Sequence, residues 1–232
     1  GWVRLRAQGD AGQTVTLRHA EVLDKQGNFY TENLRSADQI NKYVLKGSGI
    51  ETYEPRFTFQ GFRYVAVDGY PGDLTLEDIT GVVVHSDIAP TGSFECSNDM
   101  INQLQHNIQW GLKGNFLDVP TDCPQRDERL GWTGDAQVFA RTACFNAHVA
   151  GFYDKWLQDL SADQQPKGQV PYVVPNVLSP GQDEGGSAAA GWADAAVIVP
   201  WTVYLSYGDT RILEQQYKSM KGWVDYMALR AG

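Results

Sequence analysis

The sequence contains no run of lysine or arginine, and its acidic residues outnumber its basic ones. With 28 Asp and Glu against 19 Lys and Arg, the formal net charge is -9 at pH 7. A protein that binds nucleic acid or an anionic membrane surface needs a basic patch that faces the phosphates. The composition therefore argues against nucleic acids and membranes as partners.

Cysteine and histidine are also scarce. The three cysteines, Cys96, Cys123 and Cys144, show no C-x-x-C spacing, and the four histidines lie singly. Neither a disulfide framework nor a zinc site is indicated, because both need clustered residues. A lone histidine such as His148, which lies among alanine and phenylalanine, is better explained as a packed residue than as a ligand. We expect no metal and no other cofactor.

No apolar run approaches the roughly 18 residues that a membrane span requires, and no signal peptide opens the chain. Together with the unpaired cysteines, this favours a cytoplasmic location. The chain begins without Met in a strand-like pattern and ends in a helical one. We therefore expect it to be a piece of a larger protein.

Hydrophobic periodicity divides the chain at about residue 90. Residues 1–90 form short alternating runs separated by Gly, Asp, Asn and Pro, which predicts an antiparallel β-sandwich. The predicted strands are Val3–Arg6, Thr14–Arg18, Lys42–Leu45, Arg56–Phe59, Phe62–Val67 and Gly81–His85.

Residues 91–232 follow a helical period, which predicts an all-α domain. The first helix has Ser97 as its N-cap, ends near Gly114 and carries its apolar residues on one face, at Ile101, Leu104, Ile108 and Leu112. A second helix begins at about Gly134, with Val138, Phe139, Cys144 and Phe145 as its apolar set. Later helices contain Phe152 to Leu160, Ala188 to Tyr207 and Arg211 to Ala231. Between them, the loop 164–186 is long enough to suggest a lid or the rim of a pocket.

One stretch, from Asp122 to Asp135, concentrates charged residues around a tryptophan. It holds four carboxylates, two arginines and Trp132, and its members are Asp122, Arg126, Asp127, Glu128, Arg129, Trp132 and Asp135. A cluster of unlike charges around one or two acids is how a protein sets a carboxyl pKa for chemistry. The alternative is a solvated charged loop, against which the embedded Trp, Gly and Pro residues argue.

Paired carboxylates beside an aromatic ring are typical of glycoside hydrolysis, in which one acid protonates the leaving oxygen. Such an acid needs a raised pKa. The neighbouring carboxylates would raise the pKa of Glu128, whereas Arg126 and Arg129 would lower it. The sequence leaves that balance open. A calcium loop is the competing chemistry, but the stretch does not fit the EF-hand spacing.

The segment D-V-P-T-D-C-P-Q-R-D-E-R-L-G-W-T-G-D-A-Q, Asp118 to Gln137, resembles the signature of bacterial α-L-rhamnosidases of glycoside hydrolase family 78. Segments at 1–6, 17–24, 30–35 and 54–65 resemble the β-sandwich that precedes the catalytic domain in that family, and 191–201 resembles a later barrel helix. The resemblance implies a β-sandwich accessory domain at 1–90 and the N-terminal part of an (α/α)6-barrel catalytic domain at 91–232. The activity that it implies is hydrolysis of terminal α-L-rhamnosides with inversion.

The resemblance also implies roles for single residues. Glu128 matches the general acid, and Asp127 and Arg129 would support it. Rhamnose hydroxyls would be held by Asp122, Arg126 and Asp135, with Trp132 and Trp192 as aromatic contacts. Alternatives remain for three of these residues: Asp135 as a helix cap, Trp132 as a loop anchor and Trp192 as a core residue.

The family's general base is a Glu that we expect beyond residue 232. Glu184 and Asp194 are the acids nearest the right region, and neither matches that motif. Only about five of about twelve barrel helices fit in the chain, so we expect this 232-residue piece alone to have little hydrolase activity. Competing interpretations are a carbohydrate-binding fragment without catalysis, and another α/α-barrel glycosidase or lyase. Aglycone, linkage and oligomeric state leave no pattern in the sequence.

Overall fold

The computed structural model describes residues 1–178 and 188–231, which form two compact units. The first, here called the β-rich unit, contains residues 1–85 and 123–129. The second, the helical unit, contains residues 86–122 and those from 130 onward. Seven residues of the charged stretch, 123–129, therefore belong to the β-rich unit. The division into an accessory domain at 1–90 and a catalytic domain at 91–232 stays a prediction.

The β-rich unit is built on two three-stranded antiparallel sheets. Their strand orders are β6–β1–β8 and β5–β2–β7, and β3 and β4 pair as a separate small hairpin. The strands are β1 Trp2–Ala7, β2 Thr14–Ala20, β3 Val22–Leu23, β4 Phe29–Tyr30, β5 Ile40–Val44, β6 Glu51–Tyr53, β7 Tyr64–Asp68 and β8 Ile79–Val82.

The two sheets share one hydrophobic core. Val3 and Leu5 of β1 are buried together with Val15 and Leu17 of β2, while the intervening Arg4 is exposed. Alternate side chains of a strand point to opposite faces, so the period-2 pattern places the apolar set between the sheets. The predicted β-rich region followed by a helical region is confirmed.

One predicted strand is wrong and three are displaced, including the strand predicted at 42–45, which is β5 at 40–44. The segment Arg56–Phe59 is irregular, with a bend at residues 56 and 57, because Phe57 has φ 58°, which an extended strand excludes. The strand predicted at 81–85 is β8 at 79–82, and the one predicted at 62–67 is β7 at 64–68.

The helical unit contains five α-helices within the described residues. They are α1 Asp99–Asn115, α2 Thr133–Asn146, α3 Ala150–Asp163, α4 Ala195–Tyr207 and α5 Arg211–Ala231, with the short strands β9 Phe116–Leu117 and β10 Val119–Pro120 between α1 and α2. The first N-cap is Asn98 rather than Ser97, because the Asn98 side chain accepts from the backbone N–H groups of Met100 and Ile101. The fourth helix begins at Ala195, seven residues later than predicted.

The core of the helical unit differs from the predicted apolar faces. On α3, Trp156 and Leu157 are buried as predicted. On α2, however, Val138 and Phe145 are 79% and 72% exposed, and the buried face is formed by Ala136, Ala140 and Ala143. On α1, Ile101 and Leu104 are exposed, whereas Leu112 is buried. None of the helices in the described part of the chain has the length and hydropathy to cross a bilayer.

The loop 164–186 is packed against the core in its first half. Val170, Val173 and Val174 are fully buried, and the Val174 N–H donates to the Gly131 carbonyl at 2.9 Å. Residues 179–187 lie outside the described residues. A rim role for this loop stays a prediction.

Candidate active site

The loop 123–129 is anchored to the β-rich unit at three points. The Gln39 amide donates to the Gln125 carbonyl. The Arg129 guanidinium donates to the Phe59 carbonyl at 2.9 Å and lies 5.4 Å from the centre of the Phe59 ring. A Cβ on Gly61 would lie only 2.6 Å from the carbonyl carbon of Pro124, so this close approach requires glycine.

The carboxylate of Glu128 lies between two arginines. Its Oε1 is 3.1 Å from Arg35 Nη1, and its Oε2 is 3.1 Å from Arg126 Nη1. Arg35 Nε is also 2.8 Å from Asp127 Oδ1, and Ser36 Oγ donates to Asp127 Oδ2 at 2.8 Å. The structure thus brings Arg126, Asp127 and Glu128 together, as the sequence indicates, and adds two residues from the β-rich segment.

Arg35 and Ser36 are the residues that the sequence analysis missed. Arg35 closes the segment Y-T-E-N-L-R, whose resemblance to the β-sandwich gave it no role in the site. It is 93 positions from Glu128. A local sequence pattern holds no signal for a pair so far apart. Arg35 adds a cation to the balance around Glu128, and cations favour an ionised carboxylate.

The backbone at the acid is held in an uncommon conformation. Glu128 has φ 85° and Arg129 has φ 54°, both in the region that disfavours residues with a Cβ. Such strain persists where surrounding contacts hold it, which here are the arginine pairs and the Phe59 contact. The Glu128 side chain stays 28% exposed, so it can reach a ligand.

Three of the predicted sugar-binding residues line one cavity of the helical unit. Asp122, Asp135 and Trp192 face a cavity of about 550 Å³. The rest of its wall is largely apolar, with Ile108, Phe116, Val138 and Phe139 from the region of α1 and α2, and Asn115 and Thr121 as polar members. A few polar groups in an apolar cleft are typical of small-ligand sites.

The two aspartates of this cavity are placed by backbone structure. The Asp122 N–H donates to the Leu130 carbonyl at 3.1 Å, and the Leu130 N–H donates to Asp122 Oδ1 at 3.2 Å. Asp135 is exposed in the first turn of α2, where a negative charge is favourable. Its position at a helix end and its position in the cavity wall are compatible.

Three aromatic rings stand in a row beside this cavity. Tyr172 lies between Trp132, at 6.4 Å, and Trp192, at 5.7 Å. Trp192 is 40% exposed, which excludes the core alternative. It approaches α2 closely, since a Cβ on Gly134 would lie 2.9 Å from its Cδ1. Trp132 is outside the cavity lining, and its buried Nε1 has no hydrogen-bond partner among the described residues.

Asp194 has a structural role. Its Oδ2 accepts from the Gly191 N–H at 2.8 Å, and its Oδ1 accepts from Trp223 Nε1 at 2.9 Å. Both oxygens therefore make structural hydrogen bonds at the N-terminus of α4. Glu184, the other acid considered as a base, lies outside the described residues.

Two protein-family models match the chain. Residues 1–85 match the bacterial α-L-rhamnosidase concanavalin-like domain, and residues 89–232 match the bacterial α-L-rhamnosidase 6 hairpin glycosidase domain. An α-L-rhamnosidase of Streptomyces avermitilis is 52% identical over 227 residues, which are 98% of this chain and 22% of that protein. One of Formosa agariphila is 47% identical over 215 residues, which are 92% of this chain and 23% of that protein.

Solved structures agree with these matches. The crystal structure of the Streptomyces avermitilis α-L-rhamnosidase in complex with L-rhamnose superposes with a TM-score of 0.93, covering 97% of this chain and 22% of that one. The α-L-rhamnosidase of Dictyoglumus thermophilum, 42% identical, also gives 0.93, over 98% of this chain and 25% of its own. The chain thus spans about a quarter or less of the length of these relatives.

Proposed function

Because the chain belongs to the bacterial α-L-rhamnosidase family, we propose that the protein carrying it removes terminal α-L-rhamnose from rhamnosides. The observation that carries the proposal is the cavity of the helical unit, where Asp122, Asp135 and Trp192 meet. These are three of the residues that the sequence resemblance assigns to sugar binding. The rhamnose complex of the Streptomyces avermitilis relative supports the same ligand class.

The cavity has the chemistry of a monosaccharide site. Carboxylates such as Asp122 and Asp135 accept hydrogen bonds from sugar hydroxyls, and the exposed ring of Trp192 can stack on the apolar face of a pyranose. The volume of about 550 Å³ lies within the range of roughly 300–1,000 Å³ for small-ligand pockets. In this proposal Arg126 and Trp132 complete the contacts to the sugar.

Glu128 is the proposed general acid. It donates its proton to the departing glycosidic oxygen, while a second carboxylate takes a proton from the water that attacks the opposite face of the sugar. Asp127 and Arg129 hold the loop around it. The base is not assigned to a residue of this chain, because both oxygens of Asp194 are occupied by structural bonds.

The test is Glu128→Gln in the protein that carries this chain, assayed on an alkyl and on a 4-nitrophenyl α-L-rhamnoside. We expect kcat on the alkyl substrate to fall by about 10²- to 10⁴-fold, with a much smaller loss on the nitrophenyl substrate, whose leaving group needs no proton. Asp225→Asn, an exposed change on α5, serves as the control. Unchanged turnover on both substrates would remove Glu128 from the role.

Two further outcomes separate the competing interpretations. Rhamnose binding without turnover in the unmodified protein would favour a carbohydrate-binding protein, and preference for another glycoside would favour a different α/α-barrel hydrolase or lyase. Inversion is tested by NMR, which identifies the first anomer of rhamnose released.

Location and partners complete the proposal. The three free cysteines support a cytoplasmic location, which cell fractionation would test. The net charge of -9 argues against nucleic acids and anionic membranes, and the proposed activity makes rhamnosides the partners.

A further inference from the structure

We infer that Arg35, a residue of the β-rich segment, is a positioning residue for the proposed acid Glu128. The inference rests on the proposed function. Its basis is one guanidinium that contacts two adjacent carboxylates, with Nε 2.8 Å from Asp127 and Nη1 3.1 Å from Glu128. The Nη1 group donates a hydrogen bond to Glu128 Oε1, and the same cation forms an ion pair with Asp127, so Arg35 restricts the orientation of both carboxylates.

The contacts leave the Glu128 carboxylate little rotational freedom. Arg35 holds Oε1 and Arg126 holds Oε2, each at 3.1 Å. Arg126 belongs to the same loop, so it moves with Glu128. Arg35 ties this carboxylate to a different part of the β-rich unit. A general acid has to point its proton at the leaving oxygen, so a group that sets the carboxylate plane affects turnover.

Ser36 extends the same contact by one residue. Its Oγ donates to Asp127 Oδ2 at 2.8 Å, so residues 35 and 36 together bind both oxygens of Asp127 and one of Glu128. Arg35 itself has φ 58°, and Glu128 has φ 85°. Both segments thus have an uncommon backbone conformation at the point where they meet. Such conformations cluster at functional sites, where a fixed geometry is required.

A merely structural role explains these contacts less well. The Arg35 side chain is 51% exposed, and ion pairs in that environment contribute little to stability. The loop keeps its other anchors without Arg35, because Gln39 binds the Gln125 carbonyl and Arg129 binds the Phe59 carbonyl. Loss of Arg35 should therefore reorient the carboxylates and leave the fold intact.

The experiment compares Arg35→Met and Arg35→Lys with Arg18→Met in the protein that carries this chain. Arg18 is a matched control, because it lies in the same unit, is 43% exposed and pairs through Nε with a single carboxylate, Asp68, at 2.8 Å. Each variant is assayed on an alkyl and on a 4-nitrophenyl α-L-rhamnoside across pH, with thermal unfolding as the measure of folding.

For Arg35→Met we expect kcat on the alkyl substrate to fall about 10- to 100-fold, with KM nearly unchanged and a much smaller loss on the nitrophenyl substrate. The basic limb of the pH profile should move upward by about half a unit or more, because a cation beside the acid has been removed. Arg35→Lys should restore part of the rate, and Arg18→Met should match the unmodified protein.

The inference is overturned if Arg35→Met equals Arg18→Met, or if it lowers both substrates equally without moving the pH limb. Glu128→Gln separates this failure from that of the proposed function. If Glu128→Gln abolishes turnover of the alkyl substrate while Arg35→Met does not alter it, only the positioning role is lost. If Glu128→Gln itself has no effect, the proposed acid role of Glu128 fails first.

Discussion

The β-rich unit and the helical unit hold their site residues by different means. In the β-rich unit, Glu128 and Asp127 are held by ion pairs with Arg35 and Arg126, and these side chains are between 26% and 51% exposed. In the helical unit, buried backbone contacts and close packing hold the segments that carry the cavity-lining residues. The Gly131 carbonyl accepts from Val174, and Gly134 lies against Trp192.

In the proposed function, the ion pairs around Glu128 would set its reactivity, and the packed backbone would set the shape of the cavity. Exposed ion pairs contribute about 0–1 kcal/mol each to stability, so the charges around Glu128 can change at little cost to folding. A packed wall has no such freedom, since an added atom requires the backbone to move. Substitutions of the charged residues should therefore be tolerated in the β-rich unit, whereas substitutions of the packed residues should destabilise the helical unit.

The largest expected effect breaks the close backbone contact between Gly131 and Val174. In Gly131→Ala the new Cβ would lie 2.2 Å from the Val174 carbonyl oxygen, a buried backbone atom that cannot move aside. We expect a loss of about 3 kcal/mol in the free energy of unfolding, measured by urea denaturation.

Gly151→Ala is the matched control for that change. Gly151 lies in α3, and a Cβ added there would meet no heavy atom within 4 Å, so alanine should be neutral or stabilising by up to about 1 kcal/mol. Equal losses in the two variants would show that the wall is less rigid than its geometry indicates.

A smaller effect is expected from a buried polar side chain of the β-rich unit, His19. His19 is buried, its Nδ1 lies 2.8 Å from the Gln39 carbonyl oxygen, and its Nε2 has no partner among the described residues. Burial lowers the pKa of His19 below its ordinary value of 6.5. The unfolded chain therefore takes up a proton first, and stability should fall as pH drops below about 6.5 towards the lowered folded pKa, by at most about 1.4 kcal/mol per pH unit.

Urea denaturation at pH 7 and pH 5 measures this slope, above the range in which most carboxylates titrate. His19→Gln should flatten the slope, and His106→Gln, which removes an exposed histidine of α1, should leave it as it is. A slope that survives His19→Gln would assign the pH dependence to another group.

The smallest effect concerns the start of α1. The Asn98 side chain caps the helix by accepting from Met100 N and Ile101 N at 3.0 and 3.4 Å. Asn98→Ala should lower the free energy of unfolding by about 1 kcal/mol, and Ser97→Ala by a few tenths at most. The reverse order would restore Ser97 as the cap.

The sequence was sufficient where one local period or motif carried the signal. Alternation placed Val3 and Leu5 in the sandwich core, and the helical period placed Trp156 and Leu157 in α3. The same rules failed on α2, where the larger apolar side chains, Val138 and Phe145, are exposed and alanines form the buried face. Helix contacts through small residues let backbones approach closely, and periodicity of large apolar residues does not detect them.

The candidate site also contains residues that the sequence could predict and residues that it could not. The charged stretch was visible because its members are neighbours in sequence, whereas Arg35 was not, because only the folded chain brings it to Glu128. The positive φ of residues such as Glu128 and Phe57 could not be predicted from the sequence either, because tertiary contacts rather than local preference hold that conformation.

The membership of residues 123–129 in the β-rich unit has a consequence for recombining these proteins. A chimera that joins the first 85 residues of one homologue to the remainder of another would pair Arg35 and Ser36 with a foreign acidic loop. An exchange has to transfer the loop 123–129 together with residues 1–85 if both sides of the contact are to come from the same homologue. The β-rich unit is thus discontinuous in the chain, and no single junction separates it from the rest.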